Sequence, residues 1–202
     1  VAITNGYTTL NDVKAALNLE DSMDNAALEM AIATASRQID DYCGRFFYTD
    51  GTQGAPATRY YTPTDYYILP VDDFVSISEI ATDDNFDRTY GSVWTADDSM
   101  FEPVNNPSRG WPMSRILAVG SYVFPWNLPQ SVRVKGIFGW SAVPFEVKTA
   151  AKIQASRLFL RNQSPFGIAG NTDLGTVRLA AKLDADVEAV LRPLRKNNGL
   201  AK

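Results

Sequence analysis

The sequence predicts an α+β protein: a mainly helical bundle carrying a β-rich insertion. Three observations predict it. Apolar residues recur at helical spacing near both ends of the 202-residue chain. Between about Arg45 and Trp140 dense turn signals alternate with short β-prone runs. Directly after the last run, Val143-Pro144 opens a second helical stretch. At this length the chain is expected to form one domain, 1–202, burying roughly 70% of its unfolded surface without covalent staples. Its parts are two N-terminal helices (1–44), the β-rich insertion (45–140), C-terminal helices (141–196) and a flexible tail (197–202).

The first helix opens at Thr9, a good N-cap, with Asp12 three residues on. Leu10, Val13 and Leu17 mark one face of it. Asn18 to Ser22 reads as a turn, and Ser22 or Asp24 can cap a second helix. There Leu28, Ile32, Ala35, Ile39 and Tyr42 recur at steps of 4, 3, 4 and 3. Gly44 is placed to end that helix in the left-handed conformation.

In the insertion, the runs Arg59–Thr62, Tyr66–Leu69, Phe74–Ile77, Arg115–Val119 and Ser131–Val134 read as strands. Val132 and Val134 point one way, Arg133 and Lys135 the other, as on a half-exposed sheet.

Pro144 suits a first helical position, where its missing N–H costs nothing. Glu146 sits well at the positive end of the helix dipole. Val147, Ala151, Ala155 and Leu158 form one stripe of this long helix, widened by Phe159. Ile153 and Leu160 fall on nearly the opposite face at ~100° per residue. Two apolar faces require two partners, one of them a second layer or a neighbouring subunit. Gln163 to Thr176, with Pro165, Gly167, Gly170 and Gly175, reads as a loop. Asp184 then caps a short terminal helix, acidic first (Asp186, Glu188) and basic last (Arg192, Arg195, Lys196), which matches its dipole. Val187, Val190, Leu191 and Leu194 are its apolar residues, and Pro193 limits it.

The composition argues against catalysis. There is no His, hence neither the commonest general base nor the commonest metal ligand. Cys43 stands alone and reads as a buried small hydrophobe. The acidic pairs Asp72-Asp73, Asp83-Asp84 and Asp97-Asp98 could hold two metals in a nuclease. They read instead as solvated turns, where Asp is favoured locally. The glycines at 167, 170 and 175 make no phosphate-loop motif. Serines have no base partner. Thus no catalytic, cofactor-binding or metal-ligating residue is assigned, and no cofactor is expected.

With 19 basic against 23 acidic residues, net −4, the chain is not a general DNA binder. No apolar run approaches the ~20 residues of a membrane span, and the first residues lack the pattern of a signal peptide. Tyr60-Tyr61, Tyr66-Tyr67, Trp111, Tyr122, Phe124 and Trp126 could stack on sugars or bases, but read first as sheet core or interface. Lys148 and Lys152 share one face of the long helix, Arg157 and Arg161 roughly the other. Both pairs read first as solvated flanks.

The order of these elements resembles one family. Thr9-Leu-Asn-Asp-Val-Lys-Ala-Ala-Leu17 through Ile39-Asp-Asp-Tyr-Cys-Gly-Arg45 looks like the opening of head-to-tail adaptor (connector) proteins of tailed bacteriophages. Gly139-Trp140 to Val143-Pro144-x-x-Val147-Lys148 is similar to that family's strand-to-helix junction. Ser164-Pro-Phe-Gly-Ile-Ala-Gly170, Val177-Arg178 and Asp184 to Arg195 resemble the C-terminus of adaptors from actinobacterial siphophages. The middle, about 48–131, is similar only in style.

The resemblance implies a virion structural protein without enzymatic activity, made in the host cytoplasm. It implies a dodecameric ring below the portal, extending the DNA channel toward a stopper or tail protein. Ile153 and Leu160 are the candidate subunit contacts. Phe166, Ile168, Val187, Leu191, Arg192, Leu194 and Arg195 are the candidate portal, partner or channel contacts. Double-stranded DNA would pass without sequence-specific binding, and no membrane is involved. The alternatives are a head-closure or tail-completion protein and, from another class, a carbohydrate-binding module.

Overall fold

The computed structural model describes residues 3–163, 168–169, 177–178 and 183–196. The chain divides into two compact units: Val1–Phe47 with Val143–Lys202, and Tyr48–Ala142.

The first unit is helical. α1 (Leu10–Leu17) begins as its sequence dictates: the Thr9 hydroxyl accepts from the Asp12 N–H while the Asp12 carboxylate accepts from the Thr9 N–H, a reciprocal capping box. α2 (Asn25–Cys43) ends on Gly44 at φ 63°, a left-handed position that a side chain would strain. α3 (Phe145–Gln163) starts one residue after Pro144, whose carbonyl accepts the Lys148 N–H. α4 (Ala185–Leu191) is capped by Asp184 and tightens into a 3-10 turn, Arg192–Leu194, at Pro193. Val13, Leu28, Ile32, Ala35 and Ala155 are fully buried and pack with Ala31 and Phe159 into one core. α4 is tied to the end of α2: the Tyr42 hydroxyl donates to the Glu188 carbonyl and the Lys196 N–H to that of Cys43.

The second unit overturns the expectation of a mainly helical bundle. Its strands form one seven-stranded antiparallel sheet with a core of its own. They are β1 (Thr49–Asp50), β2 (Ala57–Tyr61), β3 (Ile68–Thr82), β4 (Ser92–Val93), β5 (Ser99–Glu102), β6 (Met113–Ala118) and β7 (Val132–Gly139). The order is β1-β7-β3-β6-β5, with β2 also on β7 and β4 on β3. The protein is α+β, but the sheet is a compact unit in its own right rather than an ornament on a bundle.

The largest difference is β3. The two separate runs around Tyr66–Leu69 and Phe74–Ile77 are parts of a single 15-residue strand. Its first half pairs with β6 and its second with β7, with register shifts near Phe74 on both sides. Pro70 is tolerated because at that point the strand is paired on the β6 side only. Asp72-Asp73 therefore lies in a strand, not a turn.

β7 alternates as its sequence predicts. Val132, Val134 and Phe138 face a core that includes Leu69, Phe74, Ile80, Trp94, Ile116 and Phe124. On the other face Arg133 and Lys135 both reach Glu79 of β3, at 2.9 Å each. Hydrogen bonds from Lys135 and then Arg133, against a smaller opposing effect of burial, hold the Glu79 carboxyl below its ordinary range. A depressed carboxyl contributes stability above its unfolded pKa, about 4.3, that is lost as pH falls through the folded value. Glu79→Gln is thus expected to cost up to about 1 kcal/mol at pH 7 and little below pH 3, measured by denaturant unfolding at both pH values.

Beyond α3, Ile168–Ala169 pairs antiparallel with Val177–Arg178. The segment read as loop, Gln163 to Thr176, therefore contains a short strand, β8 (Ile168–Ala169), whose partner β9 (Val177–Arg178) follows that segment directly.

Candidate assembly surfaces

α3 (Phe145–Gln163) carries the residues singled out as candidate subunit contacts. One face is the core stripe foreseen from its spacing: Val147, Ala151 and Ala155 are fully buried and Phe159 nearly so. The stripe also takes in Ala150 and the polar Gln154, which donates to the Gln38 side chain of α2 at 2.8 Å. That pair has no local signature, because each glutamine alone reads as surface. Ile153 is half-buried and Leu160 is 47% exposed. Seven residues apart, they stand two turns apart on one side of the helix.

The charged flanks of α3 are partly engaged within the chain. Lys148 and Lys152 lie near Asp12 of α1. That carboxyl is held below its ordinary range first by Thr9 hydrogen bonds and further by the two lysines. Arg157 forms an ion pair with Asp184, the cap of α4. Arg161 lines a groove of about 280 Å³ between α2 and α3, floored by Ala27, Ala31 and Thr34 and walled by Leu158 and Phe159. Phe145, at the opposite end of α3, is 78% exposed. Neither the groove nor Phe145 was foreseen. Alanines favour a helix whatever lies beside them, and periodicity does not say whether the first residue of a helix is covered.

The C-terminal candidates divide by exposure. Val187 and Leu191 are fully buried and Leu194 nearly so, within the helical unit. Arg192 and Arg195 are exposed, and the Arg195 guanidinium lies 5.0 Å from the Tyr42 ring centre. Phe166 lies outside the described residues, as does the tail 197–202. Of Ile168 only the strand pairing is described.

On the sheet unit, Tyr66 and Trp126 form an exposed tilted pair with centroids 5.7 Å apart, beside exposed Tyr67. Trp94 stacks on buried Phe124 at 4.7 Å, and Trp111 packs on Trp140 at 5.3 Å. The acidic pairs have structural partners. Asp72 accepts from Arg59 and Tyr61, Asp73 from the Trp140 indole, and buried Asp83 from the N–H groups of Asp87 and Arg88. Among the described residues no three carboxylates or thiols group to hold a metal ion. No described helix is long and apolar enough to cross a membrane.

Residues 7–69, which run from the helical unit through α1 and α2 into β1, β2 and the start of β3, match the family model of the phage gp6-like head-tail connector protein. This stretch, under a third of the chain, is similar to that connector family. A likeness of fold extends over the whole chain. The chain superposes on a subunit from the neck of the empty particle of a gene transfer agent (GTA), determined with C6 symmetry, at TM-score 0.58 and 16% identity. It superposes equally on one from the neck of the native particle, determined with C12 symmetry, at the same score and identity. A subunit of the native GTA virion gives TM-score 0.59 at 15% identity. Each match covers 100% of this chain and 96% of the other. No curated protein sequence matches the chain.

Proposed function

We propose that this chain is a virion structural protein, a head-to-tail connector that works by assembly in the neck of a tailed-phage-like particle. The observation that carries this reading is the agreement of two independent likenesses. A connector family is matched over residues 7–69, and the full chain superposes end to end on subunits of a particle neck. The acidic pairs hold strands and turns together, which agrees with a structural role.

The finer reading is an adaptor ring of identical subunits, below the portal above and a stopper or tail protein below, around a channel through which DNA passes. Necks of six-fold and twelve-fold symmetry built from similarly folded subunits support a closed ring. Because a ring multiplies the charge of its subunit, a net charge of −4 per chain disfavours adhesion of phosphate to the wall. Exposed Arg192 and Arg195 are available for a contact with the portal.

Particles produced without this protein test the reading. Filled heads and free tails are expected to accumulate separately. Joined, infectious particles in its absence would overturn it.

A further inference from the structure

We infer that each subunit inserts Phe145 into the α2–α3 groove of the next copy of the chain, so that one repeated knob-in-hole contact closes the ring. The inference rests on the ring proposed above and names the contact that builds it.

The knob is Phe145, an aromatic side chain 78% exposed on the first residue of a well-formed helix. Such an anchor gains most from a fully desolvated pocket. The hole is the groove floored by Ala27, Ala31 and Thr34, whose small side chains leave about 280 Å³ open beside Leu158 and Phe159. Met30, 65% exposed, extends its apolar lip. A subunit cannot fill its own groove with its own knob. They sit toward opposite ends of α3, the groove beginning at Leu158, and so roughly 20 Å or more apart at 1.5 Å per residue. Two different patches that fit each other across copies make a head-to-tail contact, the kind that closes into a ring rather than a two-fold dimer.

Charge agrees with the shape. Glu146, exposed, adjoins the knob, and Arg161 lines the hole. Seating Phe145 brings that acid toward that base. The opposite docking, knob against knob, would oppose two glutamates.

The test is disulfide trapping in the full chain. Glu146→Cys and Met30→Cys together place a thiol beside each patch while leaving Phe145 in place. The native Cys43 does not compete, because it is 1% exposed and burial pushes its thiol up to about 11. Oxidation of the double variant is expected to give a covalent ladder that climbs to the ring. The two single variants mixed are expected to stop at dimers. In the wild-type background, Phe145→Ala is expected to raise the concentration needed for ring formation roughly tenfold or more. Rings by light scattering without a ladder would overturn the contact and leave the ring standing. Dimers from Glu146→Cys alone would overturn it in favour of a two-fold contact. A chain that stays monomeric and gives no ladder both alone and with the portal ring of its own particle would overturn the contact and the ring together.

Discussion

Replacing Gly136 by alanine is expected to destabilise the sheet unit by about 3 kcal/mol or more. Gly136 sits in the middle of β7, opposite the irregular stretch of β3. A Cβ built on it would lie 2.4 Å from the Ser76 carbonyl oxygen, 3.0 Å from Ile77 Cδ1 and 3.2 Å from Ile77 Cα. Two of these neighbours are backbone, so relief requires β3 and β7 to move apart. These strands carry Ile80, Phe74, Val132, Val134 and Phe138, which form much of the core. At the roughly 2–4 °C per kcal/mol usual for chains of this size, Tm should fall by about 6 °C or more. Thermal unfolding followed by near-ultraviolet circular dichroism checks it, because Trp94 and Trp140 belong to this unit. A variant within about 1 kcal/mol of the wild type would show that the strand spacing yields easily.

The double substitution Ile153→Asp with Leu160→Asp is expected to abolish ring assembly and leave a folded monomer. Both side chains stand on one side of α3, away from the stripe that packs in the core, and Leu160 is 47% exposed. In a free subunit a carboxylate at 160 stays in water, and one at 153 is half-covered. Against a neighbour both would be desolvated, at a cost of several kcal/mol per ion, repeated at every subunit boundary. Far-ultraviolet circular dichroism should be unchanged while the assembled mass disappears. Intact rings in the double variant would refute the placing of Ile153 and Leu160 in the subunit boundary that Phe145 is inferred to anchor.

How far the chain could be read in advance depended on the range of the determining interactions. The helix ends are local events. Thr9 and Asp12 are three residues apart and cap each other, Gly44 supplies its own left-handed turn, and Asp184 accepts from the Asp186 N–H two residues on. The alternation of β7 is equally local, and its two faces lie as its spacing predicts.

The sheet is not local. Nothing within residues 66–77 announces that Tyr66–Leu69 and Phe74–Ile77 join through Pro70. That depends on β6 and β7, dozens of residues away, pairing with different halves of β3. β1 and β4 span only two residues each and carry no period to read. For these reasons the helices dominated the expected fold class and the sheet was underweighted.

The same limit applies to single polar residues. Asp72, Asp73 and Asp83 all occur in Asp-Asp pairs, yet they serve Arg59, the Trp140 indole and a turn's N–H groups respectively. Helix periodicity put Ile153 and Leu160 forward as candidates on one face of α3, where Leu160 is exposed and Ile153 half-buried. The α2–α3 groove was not legible, because it is defined by the space that Ala27 and Ala31 leave beside a helix more than a hundred residues further on.

The central claim is assembly into a ring, and the mass of the purified full chain by native mass spectrometry tests it most directly, alone and with the portal ring of its own particle. The account predicts a closed oligomer of many identical subunits, or a monomer that loads onto the portal in a fixed stoichiometry. A strict monomer that ignores the portal would contradict it.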